Sequence, residues 1–183
     1  MDNESHKNNK TNNNYEEHIM TMIHINSTLT KSNLSTVLSE DCIQPNAVDL
    51  PLKEIYEITG DLVILNGKTK KHADRVKLTP NEEGLYNLKG GKKYDVVFEP
   101  EVQIAEGEAG FLIQRSSLNR NGITVTSGLY DSGYNNIVGG MLHIPDGITL
   151  VIGENERLAQ LLLFKSETVH LYDGDYNKKG LLN

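Results

Sequence analysis

FLIQRSSLNRNGITVTSGLYDSGY, residues 111–134, sets the reading of this chain. Its apolar segments are short, 111–113 and 123–126, and a turn signal at Asn121-Gly122 parts them, as in a β-structure rather than a helix. Chemistry is concentrated between and after them. Arg115 offers a fork of charge-assisted donors beside the hydroxyls of Ser116 and Ser117, a set that suits an anion such as phosphate. Asp131, between Tyr130 and Tyr134, would be the natural base for a water attacking that anion. Each group also has a plainer reading. Arg115-Ser116-Ser117 fits a surface turn with a capping serine, Asp131 fits a turn aspartate bonding its own backbone, and Tyr134 fits a ring packed on a sheet.

The same short-strand pattern extends in both directions. Residues 48–52 nearly alternate, 61–65 (DLVIL) predict a compact buried strand, and 76–78, 85–88, 94–98 and 102–104 follow between polar turns. Beyond the opening stretch, 137–144, 148–152 and 158–164 read as strands. Many short strands punctuated by Gly, Asn and Pro predict an all-β sandwich or barrel. Gly139-Gly140 inside a strand predicts a bulge or a close approach by something else. Weak helical signals lie at 15–23 and 32–38. Residues 1–14 are Asn-rich and nearly devoid of apolar side chains, too polar to offset their ordering entropy, so disorder is expected there.

Composition excludes several classes. The 183 residues make room for one domain, and a net charge of −7 argues against nucleic acid as the partner. Cys42 is the only cysteine, so neither a disulfide framework nor a paired-cysteine zinc deaminase site is possible. The six histidines have no metal-ligand spacing. The start lacks the apolar core of a secretory signal, and no apolar run is long enough to span a membrane. The simplest expectation is an intracellular soluble protein with no membrane partner. Two polar residues stand out on apolar strands: Gln160 in ENERLAQLLLF and Asp49 in AVDLPL. A buried amide or carboxylate there needs partners.

Taken together, four segments resemble the dUTPase and dCTP deaminase superfamily over residues 43–180. IQPNAVDLPL, with Asp49-Leu50, resembles its first motif, and RSSL (115–118) its second. GLYDSGY (128–134) matches the third, a Gly-x-x-Asp-x-Gly-Tyr pattern that makes Gly128 and Gly133 site-supporting. ENERLAQLLL carries the Arg-x-x-Gln core of the fourth. The resemblance implies a distorted β-barrel of many short strands with minor helix. It implies three segments: an Asn-rich arm at 1–20, a β domain at 21–171, and a mobile tail at 172–183 that closes over the site. A homotrimer with sites at subunit boundaries is also implied. By the same resemblance, Asp131 activates the water that attacks the α-phosphate of dUTP. Tyr134 packs on the deoxyribose, Ser116, Ser117 and Gln160 bind phosphates, and the hairpin 123–142 reads the base through its main chain, with Gly139-Gly140 admitting it. Mg2+ would be held by the triphosphate and water rather than by protein ligands.

Arg120, completing Arg-Ser-Ser-Leu-x-Arg, and the tail YDGDYNKKG resemble the deaminase branch; in either branch the resemblance implies a tail closing over the triphosphate, with Tyr176 and Lys179 as contacts. Against deamination, the glutamate that shuttles protons in that branch falls here at Met141, and no Glu occurs between Glu108 and Glu154. A thioether moves no protons. Asn135-Asn136 stands where the family carries a Gly, and Asn best tolerates the left-handed turn expected there. The expected activity is therefore Mg-dependent hydrolysis of dUTP to dUMP and pyrophosphate. The alternatives are a dCTP deaminase, alone or bifunctional, and a non-catalytic nucleotide-binding regulator of the same fold.

Overall fold

Short strands dominate the computed structural model, which describes residues 21–67 and 69–177. In chain order they are β1 (Met22–Ile23), β2 (Asn33–Leu34), β3 (Val48–Ile58), β4 (Ile64–Leu65), β5 (Lys70–Lys71), β6 (Arg75–Lys77), β7 (Leu85–Lys89) and β8 (Lys93–Phe98). There follow β9 (Val102–Gln103), β10 (Glu108–Gln114), β11 (Thr124–Thr126), β12 (Asn135–Asn136), β13 (Gly139–His143), β14 (Thr149–Gly153) and β15 (Arg157–Lys165). One four-residue helix, α1 (Ser116–Asn119), separates β10 from β11. The expected arm at 1–20 and Lys179 lie outside the described residues.

Six strands close into a ring. β15 pairs with β10, β10 with β11, β11 with β13, β13 with β8, β8 with β3, and β3 returns to β15, every pair antiparallel. Closure removes the exposed sheet edges that an open arrangement would leave. β1 and β6 extend the ring outside, on β15 and β3. Tyr94, Val96 and Phe98 of β8 are buried, as are Leu142 of β13, Leu50 and Ile55 of β3, and Leu158, Leu161 and Leu163 of β15, where register shifts in β3 and β15 interrupt strict alternation. The all-β barrel expected from the sequence is the observed architecture.

Three local expectations fail, and the close approach expected at Gly139-Gly140 takes a specific form. The weak helical signals at 15–23 and 32–38 give way to β1 and β2 where they are described, because neighbouring strand edges offer these short segments hydrogen bonds. The apolar run 61–65 is not a buried strand: only Ile64–Leu65 pairs, with Lys70–Lys71, and Leu62, Val63 and Leu65 are exposed because no layer covers this hairpin. At Gly139-Gly140 the close approach comes from the protein's own strands. A Cβ on Gly139 would lie 2.6 Å from the Val96 carbonyl oxygen, and one on Gly140 only 2.3 Å from that of Thr126. Asn135-Asn136 is extended strand rather than a left-handed turn, pairing with β9.

Glu108 anchors the chain's early segment to the barrel. Its carboxylate is buried and accepts hydrogen bonds from the Ser32 and Thr30 hydroxyls, the Lys31 N–H and the Lys165 ammonium. Burial acts to raise its pKa, but these donors outweigh burial and hold it at about 2, against an ordinary 4.5. A lowered folded-state pKa stabilises the fold fully above the unfolded value and loses that contribution as pH falls through the folded one. Glu108 is therefore expected to contribute on the order of 3 kcal/mol above the ordinary carboxylate range, lost progressively on acidification. Urea midpoints measured across that acid window are expected to fall for the parent chain and to flatten in Glu108→Gln.

Candidate active site

The sequence-nominated residues collect at two ends of β10. At its C-terminal end, Arg115 leads into α1 and points at Asp49 of β3. Asp49 is completely buried and is surrounded by donors: Arg115 Nε at 2.9 Å, Gln160 Nε2 at 2.9 Å and Gln44 Nε2 at 3.3 Å. Arg157 brings a second guanidinium to 3.8 Å and also bonds the Asp41 carbonyl. Arg115 Nη1 donates to the Arg157 carbonyl at 3.1 Å, so its orientation is fixed from two sides. A buried carboxylate demands such a set of partners.

Arg157 has a larger part here than the sequence suggested. In a regular strand residues 157 and 160 face opposite sides. A register shift between Arg157 and Ala159 inserts a bulge, so Arg157 lies opposite Pro51 while Gln160 lies opposite Asp49, and both reach the same face. The Arg-x-x-Gln spacing is the only sequence trace of this. Just beyond, Ser116 and Ser117 open α1 with exposed side chains, and Arg120 is exposed at the helix end. Among the described residues the Ser116 and Ser117 hydroxyls make no hydrogen bond, which leaves them open to a ligand. Ser117 also lines a cleft of about 340 Å³ with Arg157 and Glu156.

The other end of β10 carries Asp131. Tyr130 bridges to Gly110, and Asp131 continues past it, exposed, into a cleft of about 510 Å³ lined also by Ala109, Ser132, Thr168, His170 and Asp173. Its carboxylate makes no hydrogen bond or ion pair among the described residues, so the self-bonded turn aspartate is not what forms. Ser132 instead holds the local backbone, donating to the Glu108 carbonyl at 2.6 Å and meeting the Thr168 hydroxyl at 2.7 Å. Gly133 takes φ +90°, where a side chain would be strained. Gly128 is exposed, and a Cβ there would meet nothing.

Tyr134 is 6 % exposed and lies between Tyr130, at 4.9 Å between ring centroids, and Tyr172, at 5.9 Å. Its hydroxyl donates to the Ile137 carbonyl at 2.5 Å, and burial raises its pKa far above the ordinary phenol value. Burial likewise pushes Tyr130 up to about 12, so both stay as neutral phenols at ordinary pH. The Tyr130 hydroxyl donates to the Gly139 carbonyl at 2.7 Å and accepts from the Gly139 N–H at 3.0 Å, bracing the arms of the hairpin 123–142. Tyr176 is half-buried beneath the Lys70 ammonium, 5.7 Å from the ring centroid.

Asp131 and Arg115 thus stand apart within one chain. Ala109 shares the Asp131 cleft, and six residues of extended strand, ~20 Å, separate Ala109 from Arg115.

Comparison with known proteins agrees with this construction. A family described as dCTP deaminase-like matches residues 19–166. A probable deoxyuridine 5'-triphosphate nucleotidohydrolase of Aeropyrum pernix is 36 % identical over 149 residues, covering 78 % of this chain and 89 % of that protein. One of Halobacterium salinarum is 32 % identical over 143 residues, covering 76 % and 85 %. The crystal structure of 2'-deoxycytidine 5'-triphosphate deaminase from Agrobacterium tumefaciens shares the fold, with a TM-score of 0.58 at 18 % identity over 74 % of this chain, which spans 44 % of that one. The closed barrel, the four motifs placed around β10 and these matches have one conclusion: the chain belongs to the dCTP deaminase-like family, within the superfamily of dUTPases and dCTP deaminases.

Proposed function

We propose that this protein hydrolyses dUTP to dUMP and pyrophosphate. The observation that carries the proposal is Asp131, an exposed carboxylate without a protein partner among the described residues, set in a cleft next to the tyrosine expected to meet the sugar. It accepts a proton from a water as that water's oxygen attacks the α-phosphorus. The bond from the α-phosphorus to its bridging oxygen breaks, and pyrophosphate leaves. The archaeal relatives named above carry this activity in their names.

The ~20 Å between the two ends of β10 exceeds the reach from the α- to the γ-phosphate. A triphosphate on Ser116, Ser117 and Gln160 of one copy therefore meets Asp131 of another, as a homotrimer with sites at subunit boundaries provides. Among the described residues no three His, Cys, Asp or Glu side chains gather as a protein-made metal cage. Magnesium, which binds through phosphate oxygens and keeps several waters, suits a site of hydroxyls and amides around a triphosphate. When bound, it offsets charge developing on the phosphate oxygens. Tyr134 meets the deoxyribose, and the arms of the 123–142 hairpin meet the base.

Deamination finds less support. Met141 occupies the position of the proton-shuttling glutamate. The carboxylate directly across from it on β8, Asp95, is already in an ion pair with Arg75. A panel of deoxy- and ribonucleoside triphosphates with magnesium, read separately for pyrophosphate and ammonia, tests the reading. Pyrophosphate from dUTP and no ammonia from dCTP are expected, with ribonucleotides turned over about a hundredfold or more slowly. Ammonia from dCTP would overturn it.

A further inference from the structure

The segment after β15 does not run free of the barrel. Residues 171–177 lie along the turn between Asp131 and Asn136 of their own chain, held at five points. The Tyr172 N–H donates to the Ser132 carbonyl at 2.7 Å. Asn177 bridges the turn, its Nδ2 donating to the Gly133 carbonyl at 2.9 Å and its Oδ1 accepting from the Asn135 N–H at 2.8 Å. Asn136 Nδ2 donates to the Tyr176 carbonyl at 2.5 Å, and Lys70 pairs with Asp175 at 3.2 Å. Gly133 makes the approach possible: a Cβ there would lie 3.1 Å from both Leu171 Cβ and the Tyr172 nitrogen.

This docking has a consequence for Tyr134. Tyr172 packs on it from one side and Tyr130 from another, which leaves the ring almost wholly buried. On the functional reading above, that ring is where the sugar packs.

We infer that Asn136 and Asn177, with the Asn135 N–H, form a latch that holds the 171–177 segment closed over Tyr134, so that Tyr172 competes with the incoming deoxyribose. Asn135-Asn136, which departs from the family pattern, thereby acquires a role: the extended pair presents an N–H and an amide at the spacing that grips Tyr176 and Asn177. The two asparagines are positioning residues and touch no reacting atom. If only the unlatched fraction accepts nucleotide, the apparent affinity is lowered by that fraction. Loosening the latch then tightens binding, whereas a segment that merely covers bound nucleotide would weaken it when loosened.

The test takes Asn177→Ala and Asn136→Ala in the full-length chain, with two readouts. Amide hydrogen exchange without nucleotide is expected to speed up about threefold to tenfold at Tyr172, and at Asn135 in Asn177→Ala, the loss of one or two ordinary hydrogen bonds. The KM for dUTP is expected to fall by a similar factor with kcat unchanged. Unaltered exchange overturns the latch. Faster exchange with a constant or raised KM overturns the competition. Absence of dUTP turnover in the parent chain counts against the proposed activity alone, and the exchange rates still decide whether the latch exists.

Discussion

Asp131→Asn is expected to bind dUTP as the parent does and to release pyrophosphate about 10²–10⁴-fold more slowly, the span typical of losing a positioned general base. The fold is expected to tolerate the change. The Asp131 carboxylate is exposed and has no protein partner among the described residues, so an amide of nearly the same shape disturbs no contact. The turn is held instead by Ser132, through the Glu108 carbonyl and Thr168, and by the Tyr134 N–H, which donates to the Asp131 carbonyl. These bonds do not involve the side chain that is changed. Single-turnover pyrophosphate release gives the chemical rate, and calorimetric titration gives the affinity. A drop in kcat without a rise in dissociation constant assigns Asp131 to the chemistry. Turnover at the parental rate would remove it from that role and shift attention to Glu167, His170 or Asp173, which also line the cleft.

How legible all this was in the sequence depends on the range of the interactions. The short apolar runs 94–98 and 158–164, bounded by turn signals, predict β8 and β15 because buried strands of this length need no distant information to recognise. The Asn-Gly turns are equally local. The run 61–65 misleads because apolar content alone does not say whether another layer exists to cover it. Arg115 and Asp131 are close in sequence, which suggested a single site. The β10–β11 hairpin carries them to opposite ends of one strand, a separation that only pairing register reveals. The Asn177 contacts fall on backbone groups of the turn, and main-chain partners leave no mark on residue identity. Arg157 was hidden for a different reason: its orientation depends on a bulge that reverses the face expected from spacing.

That bulged corner sets up the second large effect. Asp49→Ala is expected to destabilise the protein by roughly 3–5 kcal/mol, because removing the buried member of the ion pair takes the close carboxylate from Arg115 and leaves it, among the described residues, only Glu156 at 3.7 Å. The Arg115 and Arg157 guanidiniums would then face each other across the space the carboxylate filled, and Gln160 would lose its 2.9 Å acceptor. The reciprocal change, Arg115→Met, leaves buried Asp49 with amide bonds from Gln160 and Gln44 and a guanidinium, Arg157, only at 3.8 Å, and a loss of similar size is expected. Combining Asp49→Leu with Arg115→Met removes both charges at once. Apolar replacement of a buried pair is often neutral or stabilising, so the double variant is expected to recover most of the urea midpoint lost by either single change. Arg157 can remain paired to Asp41, 3.2 Å away at the surface. Activity is expected to part company with stability there: the recovered fold still lacks the guanidinium beside Ser116 and Ser117, so dUTP turnover stays low. A double variant that regains both would show that this corner serves only the fold, and that the triphosphate is held elsewhere.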